Sequence, residues 1–476
     1  MSLDERRKIM AGAQLRRLRT TLGLSQSAMA GELGISVSYL NLVERNQRPL
    51  TAQLLIRLSE TYAIDARDFA GAEDGQGASE IEEVLADPLL APLQVPKAEI
   101  RAALEQAPTL VQALKRLHSA YAGVAELGSG LAGEHAEAER GGPLPPAVDA
   151  VERVRAYLQQ ANNHFPAIEE AAETLAAELG QVEGDLFHAL TLRLRARHGI
   201  RVQVMSHQEM GVTLRHYDRH RRKLMISELV EPAGRCFQAA YQIGLLEAGD
   251  LVNAVLAAAP EMADSQSRKL GRITLANYFA AALMMPYGRF LAAAQDLGYD
   301  VDLLGARFGA SWEQVAHRLT TLSRPQARGV PFFMVRVDNA GNVSKRFSSG
   351  AFPFSRFGGT CPRWSLHDAF RHPGRTLTQL IEMPDDKRWF SIARMVRRLA
   401  APWGEPEAAF AVALGCEERF ASQLTYARGL REMRPTGIGV TCRLCERANC
   451  PSRAAPSILG GLDLSEATRG LSPFGR

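Results

Sequence analysis

Residues 24–48 constrain the fold more tightly than any other part of the sequence, because they encode two short helices joined by a tight turn. Ser25 and Ser36 are residue types that favour helix N-caps, and each precedes a segment with helical spacing of apolar residues. Gly34 suits the left-handed backbone conformation that ends the first helix. The apolar positions predict the inner face of a helix-turn-helix: Met29, Ala30, Leu33, Leu40 and Val43.

The outer face of the second helix is expected to be exposed. At its end stand Glu44, Arg45 and Arg48, and the preceding helix adds Arg16, Arg17 and Arg19. The segment 14–66 resembles the phage-repressor-like XRE family, whose second helix lies in the DNA major groove. The resemblance implies base-edge contacts from four residues: Val37, Ser38, Asn41 and Leu42. It implies phosphate contacts from three others: Gln26, Arg45 and Arg48.

A helical bundle whose basic residues only aid solubility is the alternative to this DNA-binding module. Phosphate contacts supply affinity and base contacts supply specificity. Because one module covers few base pairs, we expect a homodimer bound to paired half-sites of a double-stranded DNA operator.

Changes in composition divide the 476 residues into four parts. Linker-like composition occurs at 71–80, and a stretch rich in Gly, Ala, Glu and Pro spans 128–146. The expected domains are a helix-turn-helix domain, a helical linker region, a mainly helical domain and a Cys-rich domain, at 1–70, 81–148, 149–323 and 324–476. Strand patterns are seen at 200–205, 224–227 and 332–343. The expected fold class is mainly α with small β elements: a helix-turn-helix bundle, a degenerate zinc-peptidase-like α+β domain and a Cys-rich α+β C-terminal domain.

Composition excludes disordered, collagen-like and disulfide-scaffold proteins. Apolar residues make up 46% and charged residues 23%, which is ordinary for a globular chain. No run of about 18 uncharged apolar residues occurs, and the polar start is not a secretory signal, so we expect a cytoplasmic protein without membrane association. There, the six cysteines are expected to be buried, metal-bound or reactive rather than paired in disulfides. The net charge of +4 permits DNA binding without arguing for it.

Residues 270–290 contain the pattern Ala-Asn-x-Phe-Ala-x-x-Leu-Met-x-Pro, which resembles the IrrE/ImmA zinc-peptidase-like fold. In that family an upstream helix carries His-Glu-x-x-His, which places two zinc ligands and a general base on one face. The corresponding positions here are Tyr241, Gln242 and Leu245, and Ile273 stands where a carboxylate ligand is implied. We therefore expect no enzyme activity, and a fold that persists as a pocket. Cys236 is expected to be a small core residue.

The segment 214–226 concentrates positive charge. Its basic residues outnumber the single acid, Asp218, and are Arg215, Arg219, Arg221, Arg222 and Lys223. Because guanidinium groups bind phosphates bidentately, they could form an anion site. Beside a helical pocket lined by three tyrosines, this site would suit a ligand with a phosphorylated head and an organic tail; the tyrosines are Tyr241, Tyr278 and Tyr287. A solvated turn between strands, with tyrosines in the core, is the alternative.

Three closely spaced cysteines near the C-terminus predict a metal site. Cys442, Cys445 and Cys450 form a Cys-x2-Cys-x4-Cys run, which suits zinc or a 4Fe–4S cluster. Cys361 is the preferred fourth ligand, because the glycines before it allow close backbone approach. Cys416 is the alternative fourth ligand.

Together, these regions resemble the short-chain acyl-CoA-responsive XRE regulators of propionate, methylcitrate and glyoxylate-bypass metabolism. The resemblance rests on the helix-turn-helix, the Ala-Asn-Tyr-Phe-Ala-Ala segment without its zinc motif, and Cys-Arg-Leu-Cys-Glu-Arg-Ala-x-Cys. It implies a transcriptional regulator with a short-chain acyl-CoA effector bound by residues that include Arg215, Arg219, Arg221, Tyr241 and Tyr278. It also implies a 4Fe–4S cluster, with zinc as the alternative. Two other functions remain open: a metallopeptidase that cleaves a repressor, and a zinc-stabilised DNA-binding protein with a protein effector.

Overall fold

The computed structural model divides the chain into two compact units, residues 1–118 with 351–354 and residues 119–350 with 355–476. The structure describes residues 12–45, 47–62, 74–87, 90, 93–107, 110–119, 121, 146–180, 185–350, 352–354, 360–397, 399–400, 402–405, 407–447 and 449–457.

The first unit begins with the four helices of the predicted DNA-binding module: α1 (Gly12–Thr21), α2 (Gln26–Glu32), α3 (Val37–Glu44) and α4 (Ala52–Tyr62). The side-chain oxygens of Ser25 and Ser36 accept hydrogen bonds from the backbone N–H groups of Ala28 and Tyr39, both at 3.1 Å. Gly34 has a φ of +62° at the turn between the helices. The predicted inner face is buried throughout. These local features confirm the helix-turn-helix prediction.

Three further helices are found among the described residues of this part of the chain: α5 (Asp74–Leu85), α6 (Lys97–Gln106) and α7, which is helical at 110–119. Ile81, Ile100 and Val111 form their small apolar core. The prediction of a linker at 71–80 is therefore wrong for 74–80, because the apolar residues that follow give this segment a surface to pack against. Of the other predicted break, 128–145 lies outside the described residues, and Pro146 begins the next helix.

The second unit opens with a helical layer around a small sheet. The helices are α8 (Pro146–Gln160), α9 (Pro166–Leu179), α10 (Leu186–His198), α11 (His207–Met210), α12 (Pro232–Glu247), α13 (Gly249–Ala257), α14 (Ser265–Met284), α15 (Tyr287–Asp296), α16 (Val301–Phe308) and α17 (Trp312–Leu319). The sheet has the order β1-β3-β2, with strands β1 (Arg201–Met205), β2 (Arg215–Asp218) and β3 (Lys223–Ser227). Strand β3 runs parallel to β1 and antiparallel to β2. The predicted strands at 200–205 and 224–227 are confirmed, whereas β2 was not predicted.

The rest of the second unit is built on a six-stranded sheet of order β5-β4-β8-β7-β6-β9. Its strands are β4 (Phe333–Val337), β5 (Val343–Ser348), β6 (Leu377–Glu382), β7 (Arg388–Arg397), β8 (Ala409–Glu417) and β9 (Thr436–Gly437). Two short helices accompany them, α18 (Ser365–Asp368) and α19 (Glu418–Ala421). The predicted strand pattern at 332–343 is the β4–β5 hairpin, with Gly341 at a φ of +84° in its turn. Helices dominate the described residues, so the predicted fold class is confirmed.

One face of the large sheet belongs to the same hydrophobic core as the helical layer. Phe390, Ile392 and Leu414 are buried in one cluster with residues of α9, α12 and α14. The opposite face is covered by the segment around α18, where the Trp364 indole N–H donates to the Ser391 hydroxyl at 3.0 Å. The helical layer and the sheet are therefore packed as one folding unit.

A buried ion pair joins α9 to α17. The side chains of Glu169 and Arg318 are fully buried, and Arg318 Nη1 donates to Glu169 Oε2 at 3.0 Å. Burial favours a higher pKa for Glu169, but the adjacent Arg318 outweighs it and the pKa of the carboxyl lies below its usual range. The Tyr278 hydroxyl also donates to Glu169, and Arg318 Nε donates to the Met285 carbonyl at 3.0 Å. The polar groups of this pair are thus satisfied inside the protein.

No helix among the described residues is both long enough and apolar enough to cross a membrane.

Candidate DNA-binding surface and effector site

The outer face of α3 is available for contact. Val37, with 42% of its surface accessible, and Ser38 are exposed, while Asn41 and Leu42 are half-buried. Arg45 and Arg48, just beyond the helix, are exposed. The structure therefore leaves the residues predicted to contact base edges and phosphates exposed or half-buried, and their roles toward DNA stay predictions.

Glu44 departs from the expectation of an exposed position. It is 8% exposed and accepts hydrogen bonds from Arg19 Nε at 2.6 Å and from the Gln26 side-chain amide at 2.7 Å. The carboxylate can be buried because two donors from neighbouring helices compensate its loss of water. The hydrogen bond that Arg19 donates to Glu44 raises the pKa of Arg19, and the pair links α1 to the end of α3. Gln26 is partly exposed, and its side chain is oriented by Glu44.

The helix that resembles a zinc-binding helix carries no metal site. Gln242 is 2% exposed and its side-chain oxygen accepts a hydrogen bond from Arg215 of β2. The Arg215 guanidinium lies over the Tyr241 ring, 4.9 Å from its centre. Within the described ranges, no three His, Cys, Asp or Glu side chains are grouped closely enough to hold a metal ion. An arginine and an aromatic ring occupy the region where a metallopeptidase would hold its zinc.

Arg215 has an unusual environment for a charged group. Its Nε–H is buried without an acceptor, and among the described residues no carboxylate contacts its guanidinium. Burial lowers the pKa of Arg215, because removal from water disfavours the charged form. A partly buried cation without a counter-ion costs free energy unless an anion approaches it.

Arg272 of α14 adds a second positive charge to this group. Burial raises the pKa of Tyr241, and the nearby charges of Arg215 and Arg272 oppose this shift. Arg272 is exposed, at the edge of the group. Arg272 was not among the predicted site residues, although it precedes Ala276 and Phe279 at spacings of four and seven residues, which places it on one helix face with them. Ile273, predicted at a former ligand position, is 47% exposed.

Two of the tyrosines predicted to line the pocket lie elsewhere. Tyr278 is 5% exposed and donates to Glu169 of α9, whereas the next residue, Phe279, is the one that packs against α12 at Gly244. Tyr287 is buried and donates to the Ala327 carbonyl at 2.8 Å. The prediction of one pocket lined by all three tyrosines is wrong, because Tyr278 of α14 faces α9 and Tyr287 of α15 contacts the segment after α17.

The other predicted arginines of the anion site form an exposed turn. Arg219 and Arg221 lie between β2 and β3, and the Arg221 side chain is 84% exposed. Arg215, by contrast, lies on the same face of β2 as Tyr217. In the strand register Arg215 pairs with Ile226 of β3 and Tyr217 pairs with Leu224, and both of these partners are buried. The structure thus separates one inward arginine from two outward ones, and the predicted role of Arg219 and Arg221 in effector binding is not supported by any contact with Tyr241.

The fold brings Cys361 to the cysteine loop. Burial raises the pKa of the Cys361 thiol, and the proximity of Cys442 and Cys445 raises it further. The Arg453 guanidinium donates to the carbonyls of Cys442 at 3.3 Å and Cys445 at 3.0 Å, which holds the loop in place. Cys450 is half-buried, and its carbonyl accepts the Arg453 backbone N–H at 3.4 Å.

Cys416 is not part of this loop region. It is fully buried in β8, opposite Phe390, on the face that packs against the helical layer. The alternative assignment of Cys416 as fourth ligand is therefore wrong, because the Cys361 segment covers the other face of the sheet. Cys236 is 7% exposed in the core, as expected, and burial raises its pKa to about 12.

Family models match three successive parts of the chain. Residues 15–69 match the helix-turn-helix model, residues 195–320 the IrrE N-terminal-like domain, and residues 321–474 the C-terminal domain of short-chain fatty acyl coenzyme A regulators.

Several relatives match this chain over nearly its whole length. The HTH-type transcriptional regulator RamB of Mycobacterium tuberculosis is 40% identical over 98% of both chains. A propionyl-CoA carboxylase regulator of Cereibacter sphaeroides is 37% identical over 98% of both chains, and the regulator PrpR of M. tuberculosis is 36% identical over 98% of this chain and 96% of its own.

A solved structure supports the same conclusion. A Mycobacterium tuberculosis transcriptional regulator, 37% identical, superposes with a TM-score of 0.65 over 68% of this chain and 100% of its own. The full-length relatives are transcriptional regulators rather than enzymes, in agreement with the lost catalytic residues. The chain belongs to the family of DNA-binding helix-turn-helix transcriptional regulators with a short-chain fatty acyl coenzyme A regulator C-terminal domain.

Proposed function

We propose that this protein is a cytoplasmic regulator of genes for short-chain acyl metabolism, propionate and acetate use in particular, and that a short-chain acyl-CoA controls its binding to DNA. The names of the C-terminal family and of the propionyl-CoA carboxylase regulator support the class of effector. Repressor cleavage is disfavoured, because Tyr241, Gln242 and Leu245 supply neither zinc ligands nor a general base.

The unpaired guanidinium of Arg215 is the observation that supports an effector site in the α12 region. Its buried Nε–H has no acceptor and its charge has no carboxylate partner among the described residues, so an approaching anion would be stabilised there. Tyr241 provides an aromatic surface below it, and Arg272 adds charge at the edge. Acyl-CoA carries phosphates that such a pair of arginines could bind, and an organic portion that the ring could contact.

The proposed control requires that the effector bind the DNA-competent and DNA-incompetent states with different affinity. A homodimer on paired half-sites would offer two such states, because a ligand in each second unit could change how two helix-turn-helix modules reach their half-sites. This arrangement makes DNA affinity the direct readout of effector binding.

The experiment measures fluorescence anisotropy of labelled operator DNA with the wild-type protein, with and without propionyl-CoA or acetyl-CoA. Free CoA is the control for a response that ignores the acyl group. A change of at least about fivefold in operator affinity with one acyl-CoA is expected. An operator affinity that no acyl-CoA alters would overturn the effector proposal and leave the DNA-binding assignment in place.

We also propose that Cys361, Cys442, Cys445 and Cys450 hold a 4Fe–4S cluster, with zinc as the alternative. The proximity of Cys361 to Cys442 and Cys445, together with the Cys-x2-Cys-x4-Cys spacing, supports this ligand set. No three of these thiols are grouped closely enough to hold a metal ion among the described residues, so binding would require the cysteine loop to rearrange. When bound, either metal centre would cross-link the cysteine loop to the segment that precedes α18.

Cysteine variants test this site. Cys442→Ser and Cys445→Ser are expected to lose the metal and to lower the melting temperature, whereas the matched control Cys416→Ser should keep the metal. Anaerobically purified protein should absorb visible light near about 400 nm if it holds the cluster. Metal analysis that finds zinc without iron supports the alternative, and equal metal content in all three variants contradicts the site.

A further inference from the structure

Three elements of the second unit meet at one end of the small sheet. The backbone N–H of Arg201, which begins β1, donates to the carbonyl of Arg222 at 2.9 Å. Arg201 is also paired with Lys223 of β3 in the strand register. The Arg222 side chain reaches Gly199 at the end of α10, where its Nη1 lies 3.1 Å from the position that a Cβ would take. The start of β1 and the β2–β3 turn thus place their side chains on a common surface.

This surface, here called the basic tip, concentrates positive charge in five residues: Arg201, Arg219, Arg221, Arg222 and Lys223. The four arginines are exposed and Lys223 is half-buried. Arg201 and Lys223 stand directly opposite each other on neighbouring strands, an arrangement of like charges that is destabilising by itself. The basic tip therefore holds its charges together at a cost that the fold does not explain.

The acids nearby do little to neutralise the basic tip. Asp218 accepts the backbone N–H groups of His220 and Arg221, both at 2.9 Å, and its contact with the Arg221 side chain is long, at 3.8 Å. Glu247, near the end of α10, is already paired with Arg193 at 2.7 Å and with His198 at 2.9 Å. The basic tip keeps a net positive charge.

The shape of the basic tip decides which anion it suits. Sites for small molecules are concave and bury most of the ligand, whereas the four arginines stand on a hairpin turn and at the start of a strand and are exposed to water. A convex group of solvated cations suits an extended polyanion, which can contact several of them at once and release counter-ions. The family to which this chain belongs binds DNA, so a polyanion of this kind is its established partner.

We propose that the basic tip is a second DNA-contacting surface, which binds the phosphate backbone beside the operator without reading bases. This proposal depends on the DNA-binding role of the chain and not on the proposed effector. The basic tip supplies affinity to any DNA sequence, while α3 supplies the discrimination between sequences.

The test compares two full-length variants of equal charge. One is the triple variant Arg201→Gln, Arg219→Gln, Arg222→Gln. The control removes three exposed arginines from other surfaces of the same unit, by Arg289→Gln, Arg307→Gln and Arg428→Gln. Operator DNA and an unrelated duplex are titrated by fluorescence anisotropy between about 50 and 200 mM salt, and circular dichroism melting confirms that both variants fold.

The tip variant is expected to lose more than about tenfold in affinity for both duplexes at low salt. Its salt dependence, the slope of log affinity against log salt, should decrease by about two to three, because about 0.9 of slope is lost for each phosphate contact. The control variant should keep both slope and preference. Equal slopes in the two variants would overturn the proposal.

Titration of free CoA into the same variants distinguishes the other source of phosphate. If the tip variant loses CoA affinity while its DNA affinity and salt slope match those of the control, the basic tip binds a small ligand and the proposal is wrong. If neither DNA nor CoA binding changes, the basic tip is a solvated turn and the proposal is wrong as well. Neither result affects the test of acyl-CoA control in the wild-type protein.

Discussion

Arg318 and Arg215 are both withdrawn from water in the second unit, but their surroundings are opposite. Arg318 is fully buried against Glu169, and its remaining donors reach the Met285 carbonyl and the Thr321 hydroxyl. Arg215 contacts an amide oxygen and a ring face, and its Nε–H has no acceptor. One guanidinium is neutralised inside the protein and the other is not.

The difference separates a structural charge from a binding charge. A buried pair holds its elements in place because the removal of either partner leaves an uncompensated charge. A partly buried cation without a partner destabilises the fold slightly and gains free energy when an anion binds. The absence of a carboxylate partner among the described residues, rather than burial alone, therefore identifies Arg215 as part of the candidate site.

The largest expected effect comes from breaking the neutralised pair. Arg318→Met leaves the Glu169 carboxylate buried without its cation, and the free energy of unfolding should fall by about 3–5 kcal/mol. Urea unfolding followed by circular dichroism measures this change. The double variant Glu169→Met, Arg318→Met should recover part of the loss, because it removes both charges. A loss below about 1 kcal/mol in the single variant would contradict the structural role of the pair.

A smaller effect on the free energy of unfolding is expected from pH, through His164 near the Glu169–Arg318 pair. Burial lowers the pKa of His164, which lies 3.4 Å from the Tyr278 hydroxyl, to about 4. The attraction of Glu169 opposes this shift, and the charges of Arg324, Arg318 and Arg328 support it. Between pH 6.5 and about 4 the unfolded chain therefore binds a proton that the folded chain does not, and stability should fall as pH decreases through this window.

Unfolding experiments across this pH range test the prediction. In the wild-type protein the loss assigned to His164 should not exceed about 3 kcal/mol, and His164→Gln should remove most of it. Glu169 adds to this loss only at the acid end of the window, because its pKa is lowered in the folded protein and its carboxyl in the unfolded chain therefore binds a proton first. An unchanged pH slope in His164→Gln would show that another group titrates.

The smallest effect is expected from removal of the unpaired charge. Arg215→Gln keeps a donor for the Gln242 side-chain oxygen and eliminates the desolvated cation, so the free energy of unfolding without ligand should change by less than about 1 kcal/mol. The same urea titration measures it beside Arg318→Met. A loss as large as that of Arg318→Met would mean that Arg215 is structural and that the contrast between the two arginines is wrong.

Sequence alone predicted the parts of the molecule whose determinants are local. The serine caps, Gly34 and the spacing of apolar residues lie within 25 positions, so they identify the helix-turn-helix and its accessible face. The burial of Glu44 was missed because its donors, Arg19 and Gln26, are 25 and 18 residues away. Such pairing depends on how helices cross, which spacing within one helix does not reveal.

The candidate effector site was predictable only in part. Arg215 and Tyr241 were identified from charge and from the lost zinc motif, but their contact depends on the packing of β2 against α12. Tyr278 was misplaced because its partner, Glu169, is 109 residues distant in the sequence and belongs to α9. Cys361 could be proposed from its glycines, yet only the folded sheet brings it beside Cys442.

Calorimetric titration of propionyl-CoA into three proteins tests the central claim, that the unpaired guanidinium of Arg215 binds the effector, most directly. The proteins are the wild type, Arg215→Gln, and Arg219→Gln, which removes an equal charge from the exposed turn. We predict that Arg215→Gln loses at least about tenfold in affinity, since hydrogen bonds to charged groups contribute about 1.5–3 kcal/mol, while Arg219→Gln binds as the wild type does. Equal affinity in Arg215→Gln and the wild type would contradict the account.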